Sequence, residues 1–265
     1  MSQSIRVLIT NDDGIASPGL HVLAAAAVRA GFDVVVAAPA SEASGSSSSI
    51  TAVEEDGRIS VEECELEELD GVKAFAVHGA PAFITMIAAH GAFGPPPDVV
   101  LSGVNRGANV GRAILHSGTV GAALTAGVND RRGMAVSLDT GLNPDAIHWE
   151  TAAQLATGLL PFLLEQEPGS VLNLNVPNSA GPDLPEYRAA TLTRFGIVQT
   201  TLAERGQQHV RLAIADTAET PDPDSDAALL AAGYASVTAL QPVTGTAPSL
   251  ERLPGAEALR DPGQQ

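Results

Sequence analysis

The sequence predicts an α/β fold, with a mostly parallel sheet between two layers of helices. Short β-branched or unbroken apolar runs alternate with helical patterns over the first two thirds of the chain. Polar, glycine-rich loops follow several of the apolar runs, as they do at the carboxyl ends of parallel strands. Hydrophobic residues make up 45% of the 265 positions, which is enough for a large buried core.

The chain opens with a predicted βαβ unit. Residues 5–10 form a β-branched run that predicts a strand, and a helical pattern follows Pro18 and ends at Arg29, before Gly31. Residues 33–39 are continuously apolar, as expected for a parallel strand that is buried on both faces. Strand, helix and strand therefore indicate the start of a parallel sheet.

The next two segments differ in composition. Residues 41–49 are rich in serine and resemble a flexible linker, but their place directly after a parallel strand favours a binding loop. Residues 50–77 contain short alternating stretches and many carboxylates, which predict a solvated antiparallel excursion.

Regular elements then resume. We expect helices over 81–90, 119–128 and 147–165, and strands over 98–102, 134–138 and 171–176. Beyond residue 177 the pattern changes to strands with longer connections, over 187–195, 208–216 and 234–240, and then to a tail over 244–265. The sequence thus predicts a core over residues 1–177 and a smaller, irregular, β-rich extension and tail over 178–265.

The charge balance limits the ligands. The chain has 14 Lys and Arg against 31 Asp and Glu, a net charge of −17, and the sequence pI is about 4.5. The electrostatic field of a protein with this negative charge repels polyanions, so binding to nucleic acids or to anionic membranes is not expected. A phosphate ligand would need a bound cation or a cradle of backbone N–H groups.

Cysteine content and the N-terminus indicate the compartment. The single cysteine, Cys64, excludes a disulfide framework within the chain and a thiolate zinc cluster. The first residues lack the pattern of a signal peptide, and no apolar run is long enough to span a membrane. We therefore expect a cytoplasmic protein. Aromatic residues are only 3% of the chain, so stacking on nucleobases should be limited.

Three polar loops follow predicted parallel strands and should meet at one edge of the sheet. They carry Asp12 and Asp13, Ser44, and Asn105. Carboxylate, hydroxyl and amide oxygens suit Mg²⁺ or Mn²⁺ better than Zn²⁺. Adjacent carboxylates also repel each other, and a cation would relieve that repulsion. The alternative for the first loop is a polar turn with an aspartate cap.

A fourth loop, Ser117-Gly118-Thr119, stands at the start of a predicted helix. Free backbone N–H groups and the helix dipole make such a position suitable for a phosphate, although an ordinary Ser/Thr N-cap would have the same sequence. His116 precedes the loop and could act as a general acid, because histidine titrates near neutral pH. The alternative is an ordinary, partly buried histidine.

These segments together resemble the SurE family of metal-dependent nucleotidases and phosphatases. The segments are ITNDDGIASPGL, APASEASGSSSSIT, LSGVNRGANVG, HSGTVGAALTAGV and AVSLD, in order over residues 5–176, with DSDAALLAAGYASVTALQP near the end. The resemblance implies a Rossmann-like three-layer sandwich with β-hairpin extensions, a homodimer or homotetramer formed through residues 178–265, and hydrolysis of phosphomonoesters, commonly nucleoside 5′- or 3′-monophosphates.

The resemblance also assigns roles to individual residues. It implies one Mg²⁺ or Mn²⁺ per subunit, held by Asp12, Asp13, Ser44 and Asn105. It places the candidate substrate- and phosphate-binding residues in the same loops: Asn11, Ser44, Gly45, Asn105, Asn109, Ser117, Gly118 and Thr119. Asp12 and Asp13 are the catalytic candidates. We expect Asp12 to take the catalytic role, with either water or an aspartate as the nucleophile.

Some positions depart from the family pattern. Ala43 stands where a polar or basic residue is usual, residues 78–83 read HGAPAF, and His116 replaces a frequent tyrosine. Two alternatives therefore stay open: a phosphatase for another small phosphate ester, and a catalytically silent nucleotide-binding protein. A dinucleotide-dependent oxidoreductase is not expected, since NDDGIASPG lacks the G-x-G-x-x-G fingerprint.

Overall fold

The computed structural model describes residues 4–67, 69–141, 143–181, 183–194, 199–205, 210–215 and 221–245. The strands in these ranges are β1 (Arg6–Thr10), β2 (Asp33–Pro39), β3 (Glu54–Glu55), β4 (Arg58–Ile59), β5 (Val61–Cys64), β6 (Lys73–Val77), β7 (Val99–Arg106), β8 (Arg132–Asp139), β9 (Val171–Pro177), β10 (Tyr187–Ala189), β11 (Gln199–Arg205), β12 (Val210–Ala215) and β13 (Ala235–Leu240). The helices are α1 (Pro18–Arg29), α2 (Pro81–Ala89), α3 (Gly118–Val128), α4 (Trp149–Glu165) and α5 (Asp226–Ala231), with a 3-10 helix over Gly111–His116.

The main sheet has nine strands in the order β10-β13-β9-β8-β7-β1-β2-β6-β5. The six strands from β9 to β6 are parallel to their neighbours. Antiparallel strands flank them, with β5 beside β6 and β13 beside β9. The predicted α/β fold with a mostly parallel, Rossmann-like sheet is confirmed.

Helices cover both faces of the sheet, as the continuous apolar strands predict. In β1, Val7 and Ile9 lie in the core cluster formed with α1 and α4, whereas Leu8 lies in the cluster formed with α2. Val120 of α3 belongs to a further cluster on the sheet, together with Ala135 of β8. Successive side chains of β1 are thus buried on opposite faces, and the protein has three layers.

Strand β7 is longer than the sequence predicts. The glycine-rich segment after Ser102 was expected to be a loop, but β7 continues to Arg106 after a shift in its pairing with β8. A Cβ atom on Gly103 would lie 2.3 Å from the carbonyl oxygen of Val136. The glycine therefore marks an irregularity within a strand, where two backbones approach closely, rather than the end of the strand.

The acidic segment forms the predicted antiparallel excursion, with β3 paired to β4 and β5 paired to β6. After residue 177, β13 pairs with β9 and β10 pairs with β13, so two later strands extend the main sheet. Strands β11 and β12 form a separate hairpin. Of the predicted strand over 187–195, the described residues form β10 and an isolated bridge at Thr191, while residue 195 and most of the predicted tail lie outside the described residues. The division at residue 177, with an oligomerising region after it, stays a prediction.

None of the helices in the described ranges is both long enough and apolar enough to cross a lipid bilayer.

Candidate active site

A cavity of about 550 Å³ lies where the loops after β1 and β2 meet the carboxyl end of β7. This edge of an open parallel sheet is where ligands usually bind. The cavity is lined by Asp12, Asp13, Glu42, Ser44, Gly45, Asn105, Arg106, Asn109, Ala113, His116 and Ser117. The structure thus brings together most of the residues singled out in the sequence. Asn11, Gly118 and Thr119 are buried and do not belong to this lining.

Asp12 joins the end of β1 to the start of α3. Its side chain is almost completely buried, at 4% exposure, and Thr119 Oγ1 donates a hydrogen bond of 2.5 Å to Asp12 Oδ1. Burial raises the pKa of Asp12, while hydrogen bonds from the Thr119 hydroxyl and the backbone of Gly118 and Thr119 oppose that rise. The carboxylate is therefore fixed in orientation and partly stabilised by the first turn of the helix.

Gly118 permits this approach of helix and carboxylate. A Cβ atom there would lie 2.8 Å from Asp12 Oδ2 and 2.5 Å from Ser46 Oγ, closer than side-chain atoms pack. Any larger residue at position 118 would push the helix away from Asp12.

Asp13 adds a second negative charge to the cavity. Burial and the neighbouring carboxylate of Asp12 raise the pKa of Asp13 to about 6, although a hydrogen bond with the Arg106 backbone lowers it. Glu42 also contributes repulsion, whereas the Arg106 side chain contributes attraction. The two aspartates together therefore favour a bound cation, which would hold both of them ionised.

Asn11 is fully buried and holds the loop that presents the aspartates. Its amide nitrogen donates to Ser17 Oγ at 2.5 Å and to the carbonyl oxygen of Gly14 at 3.2 Å. Its side-chain oxygen accepts a bond of 3.2 Å from the Gly14 N–H. The structure thus places Asn11 in the hydrogen bonds of its own loop.

The serine-rich segment is a packed loop and not a free linker. The Ala43 N–H donates to the carbonyl oxygen of Asp12 at 2.7 Å, and Ser44 Oγ donates to Glu42 Oε1 at 2.6 Å. The loop also packs against α3, because a Cβ atom on Gly121 would lie 2.1 Å from the carbonyl oxygen of Ser47. These contacts hold Ser44 beside the aspartates.

Asn105 offers an amide oxygen to the cavity. Its Nδ2 donates to the carbonyl oxygen of Gly107 at 2.8 Å, so Oδ1 is the atom that it can present to a cation.

Asn109 is held from the neighbouring strands. Its backbone N–H donates to Asn175 Oδ1 at 2.8 Å, and its Nδ2 donates to Ser137 Oγ at 2.8 Å. Its carbonyl oxygen accepts bonds from Asn173 and Asn175 of β9 at 2.8 and 2.9 Å. These supporting residues were not predicted, although two asparagines within the buried run VLNLNV are a detectable signal.

The N-terminus of α3 and the 3-10 helix close one side of the cavity. Ser117 caps α3, where its Oγ accepts a bond of 3.1 Å from the Val120 N–H. His116 is exposed and lines the cavity, which differs from the partly buried alternative. Sequence reasoning also missed Glu42 and Arg106. The sequence feature that could have identified them is their position, because each lies in a predicted loop within two residues of a candidate ligand, Ser44 or Asn105.

The donor set fits a hard divalent cation. Within the described ranges, no group of three or more His, Cys, Asp or Glu side chains is placed to hold a metal ion. A cation in this cavity would therefore need neutral oxygens in addition to Asp12 and Asp13, and Ser44 and Asn105 provide them. Oxygen ligands of this kind are those that Mg²⁺ and Mn²⁺ prefer.

Fold and site together define a Rossmann-like α/β protein with a cluster of oxygen donors at the carboxyl edge of its sheet. The chain belongs to the SurE family, since residues 7–201 match the family described as "Survival protein SurE".

Relatives and a solved structure agree with this assignment. The 5′-nucleotidase SurE of Methanopyrus kandleri is 43% identical over 181 residues, 66% of this chain and 67% of that protein. The 5′/3′-nucleotidase SurE of Photorhabdus laumondii is 32% identical over 248 residues, 89% and 90% of the two chains. The crystal structure of the SurE protein from Aquifex aeolicus has a TM-score of 0.71 and 26% identity, covering 91% of this chain and 94% of that one.

Proposed function

We propose that this protein is a phosphomonoesterase that depends on one divalent cation, Mg²⁺ or Mn²⁺, and acts on nucleoside 5′- or 3′-monophosphates. The observation that carries the proposal is the meeting of Asp12, Asp13, Ser44 and Asn105 in one cavity beside the N-terminus of α3. The names of the relatives, 5′-nucleotidase and 5′/3′-nucleotidase, support the substrate class.

The four oxygen donors would hold the cation, and the cation would supply positive charge for polarising the phosphoryl group and activating water. The protein needs this charge, because three carboxylates, Asp12, Asp13 and Glu42, share the cavity with only one guanidinium, that of Arg106.

Asp12 takes the catalytic role within this pair. Its bond to Thr119 fixes the carboxylate, and rigid orientation of a reacting group is a main source of rate acceleration. Asp12 then acts either on the attacking water as a base or directly on phosphorus as a nucleophile.

The phosphate faces the wall formed by Asn109 and the start of α3. Ser117 lines the cavity at the N-terminus of α3, where the helix dipole stabilises an anion. The backbone N–H groups of Gly118 and Thr119 bond Asp12, so these two residues act on the phosphate through that carboxylate. Gly45 and Arg106 complete the lining on the other side.

His116 donates the proton that the leaving alkoxide requires. It lies in the same lining and is open to solvent, so it can regain a proton after each turnover.

A second candidate is a phosphatase for a different small phosphate ester. Another cavity, of about 400 Å³, shares Glu42 and Ser44 with the first and is lined by Ala43 and Ala80 at positions that depart from the family pattern. Its lining contains no Phe, Tyr or Trp side chain, and His78 supplies the imidazole ring that could stack on a nucleobase. This small aromatic surface favours a smaller or less aromatic leaving group. The silent-binding alternative has no such support, because all four candidate ligands are present.

The test is phosphate release from 5′- and 3′-nucleoside monophosphates, sugar phosphates and p-nitrophenyl phosphate, with Mg²⁺, Mn²⁺ or EDTA. We expect metal-dependent release from the nucleotides. Release from sugar phosphates alone would favour the second candidate, and no release with any metal would contradict both.

The assembly and the compartment belong to the same proposal. We expect a homodimer or homotetramer, formed through residues 178–265, that acts in the cytoplasm on a small phosphate ester, without a nucleic-acid or membrane partner. Light scattering that finds a monomer at micromolar concentration would contradict the assembly.

A further inference from the structure

A completely buried carboxylate lies outside the cavity lining, on the first turn of α5. Asp226 has 0% exposure, and it is 115 residues from Gly111, whose backbone N–H donates to it. Burying a carboxylate is costly unless hydrogen bonds replace its hydration. Its hydrogen-bond partners therefore indicate which segments this buried carboxyl group holds together.

The two oxygens of Asp226 serve different segments. Oδ1 accepts bonds from the Thr193 N–H at 2.9 Å, the Thr193 hydroxyl at 2.6 Å and the Ala227 N–H at 2.8 Å. Oδ2 accepts from the Gly111 N–H at 2.7 Å. One carboxylate thus joins two C-terminal segments to the segment that enters the active site.

Gly111 is the point at which this contact meets the cavity. It is buried, begins the 3-10 helix and has a φ of +61°, a backbone conformation that favours glycine. The Arg112 N–H, next in the chain, donates to the carbonyl oxygen of Thr193 at 3.2 Å, so the same C-terminal segment holds two successive residues.

The segment that Asp226 holds forms one wall of the cavity. Asn109, Ala113, His116 and Ser117 all belong to the lining, and they lie on both sides of Gly111 in the chain. The β9 asparagines fix this segment at Asn109, and Asp226 fixes it at Gly111. Its position relative to Asp12 therefore depends on both contacts.

We propose that Asp226 is a positioning residue for the active site, which sets the place of the 109–117 wall through the Gly111 N–H. Asp226 does not line the cavity, so it acts on phosphate binding only through that wall. The inference rests on the phosphomonoesterase function proposed above. It adds that the C-terminal region contributes to the site by holding its backbone.

Asp226→Asn tests this contact selectively. Three donors converge on Oδ1, so the amide of the variant places its oxygen there and its NH₂ group against the Gly111 N–H. Two donors then face each other, and the wall loses its anchor while the contacts with Thr193 and Ala227 remain. The matched control is Thr193→Val, which removes one donor from Oδ1 but leaves the bond to Gly111 intact.

The measurements are kinetics with p-nitrophenyl phosphate, binding of inorganic phosphate in the presence of Mn²⁺, Mn²⁺ affinity itself, and Tm. For Asp226→Asn we expect a loss of about 10- to 100-fold in kcat/KM, mainly through KM, with a matching loss of phosphate affinity. Mn²⁺ affinity should be unchanged, because the ligand loops are not held by Asp226. Thr193→Val should lower Tm but keep the wild-type KM and phosphate affinity.

Equal kinetic effects in both variants, or a wild-type KM and phosphate affinity in Asp226→Asn, would overturn the proposal. If Asp226→Asn does not fold, Gly111→Ala disturbs the same contact from the other side through its positive φ, and a wild-type KM in that variant would overturn it as well. A wild type that binds phosphate without hydrolysing esters would refute the proposed function, whereas the comparison of phosphate affinities would still decide the role of Asp226. A wild type that neither binds nor hydrolyses would refute both.

Discussion

Thr119 and Asp12, 107 residues apart in the chain, are joined by a hydrogen bond of 2.5 Å from Thr119 Oγ1 to Asp12 Oδ1. The bond links the loop after β1 to the first turn of α3. It therefore sets the carboxylate that we expect to be catalytic against the helix N-terminus that we expect to face the phosphate.

Thr119→Val should lower activity more than stability. The variant keeps the shape of the side chain but removes the donor, and a hydrogen bond to a charged group contributes about 1.5–3 kcal/mol. We expect kcat to fall by about tenfold or more in metal-saturated enzyme. Thr125→Val is the control, because the Thr125 hydroxyl donates to the helix carbonyl of Gly121 and the residue is absent from the cavity lining. Equal kcat values for the two variants would contradict this role of Thr119.

Asp13→Asn should stabilise the metal-free protein at neutral and alkaline pH. The folded-state pKa of Asp13 is raised to about 6 by burial and by Asp12, so the folded protein binds the proton more tightly than the unfolded chain does. Stability is therefore lost as pH rises from about 4 through 6. Since Asp13 is only partly buried, solvent screening reduces the effect to about 1 kcal/mol, or about 2–4 °C in Tm.

Thermal unfolding in EDTA at several pH values measures this difference between Asp13→Asn and the wild type. The increase in Tm of Asp13→Asn over the wild type should be largest above pH about 6 and should shrink toward pH about 4, where Asp13 is protonated in the wild type. Glu167→Gln, at an exposed position, provides the control and should leave Tm unchanged. A gain that does not vary with pH would point to a cause other than ionisation.

Affinity for the cation should weaken in mild acid. A proton on Asp13 competes with the metal for the same oxygens, and the pKa of about 6 places this competition just below neutral pH. Titration calorimetry with Mn²⁺ should show affinity falling by up to about tenfold per pH unit below about 6, and little change above about 7. Constant affinity across that interval would argue against Asp13 as a ligand.

His116→Gln should slow nucleotides selectively. A nucleoside leaves as an alkoxide that requires a proton, whereas p-nitrophenolate leaves readily without one. We expect kcat to fall by about 100-fold with the better nucleoside monophosphate and by much less with p-nitrophenyl phosphate. Parallel losses on both substrates would assign His116 to binding rather than to proton transfer.

Much of the fold and part of the site could be predicted, because the signals are local. The apolar runs of β1 and β2 and the Asn-Asp-Asp turn between β1 and α1 follow from neighbouring residues, and parallel topology brings the strand ends together. Gly103 shows where such reasoning fails. Its sequence suggests a loop, but close contact with Val136 places it within a strand.

The support of the site is tertiary and could not be predicted in the same way. Asn175 binds the backbone of Asn109 across 66 positions, and Asp226 binds Gly111 across 115. A buried polar residue signals that a partner exists, but the sequence does not name that partner. The loops that carry the donors were thus predictable, whereas the residues that hold them were not.

The pairing of β13 with β9 also covers a sheet edge through which other chains could aggregate. Without residues 235–240, β9 would present a row of unpaired backbone groups along a strand rich in valine and leucine, a template for another chain to join. During synthesis, this edge stays open until the last described strand has left the ribosome. The C-terminal region therefore completes the sheet as well as anchoring the wall of the active site.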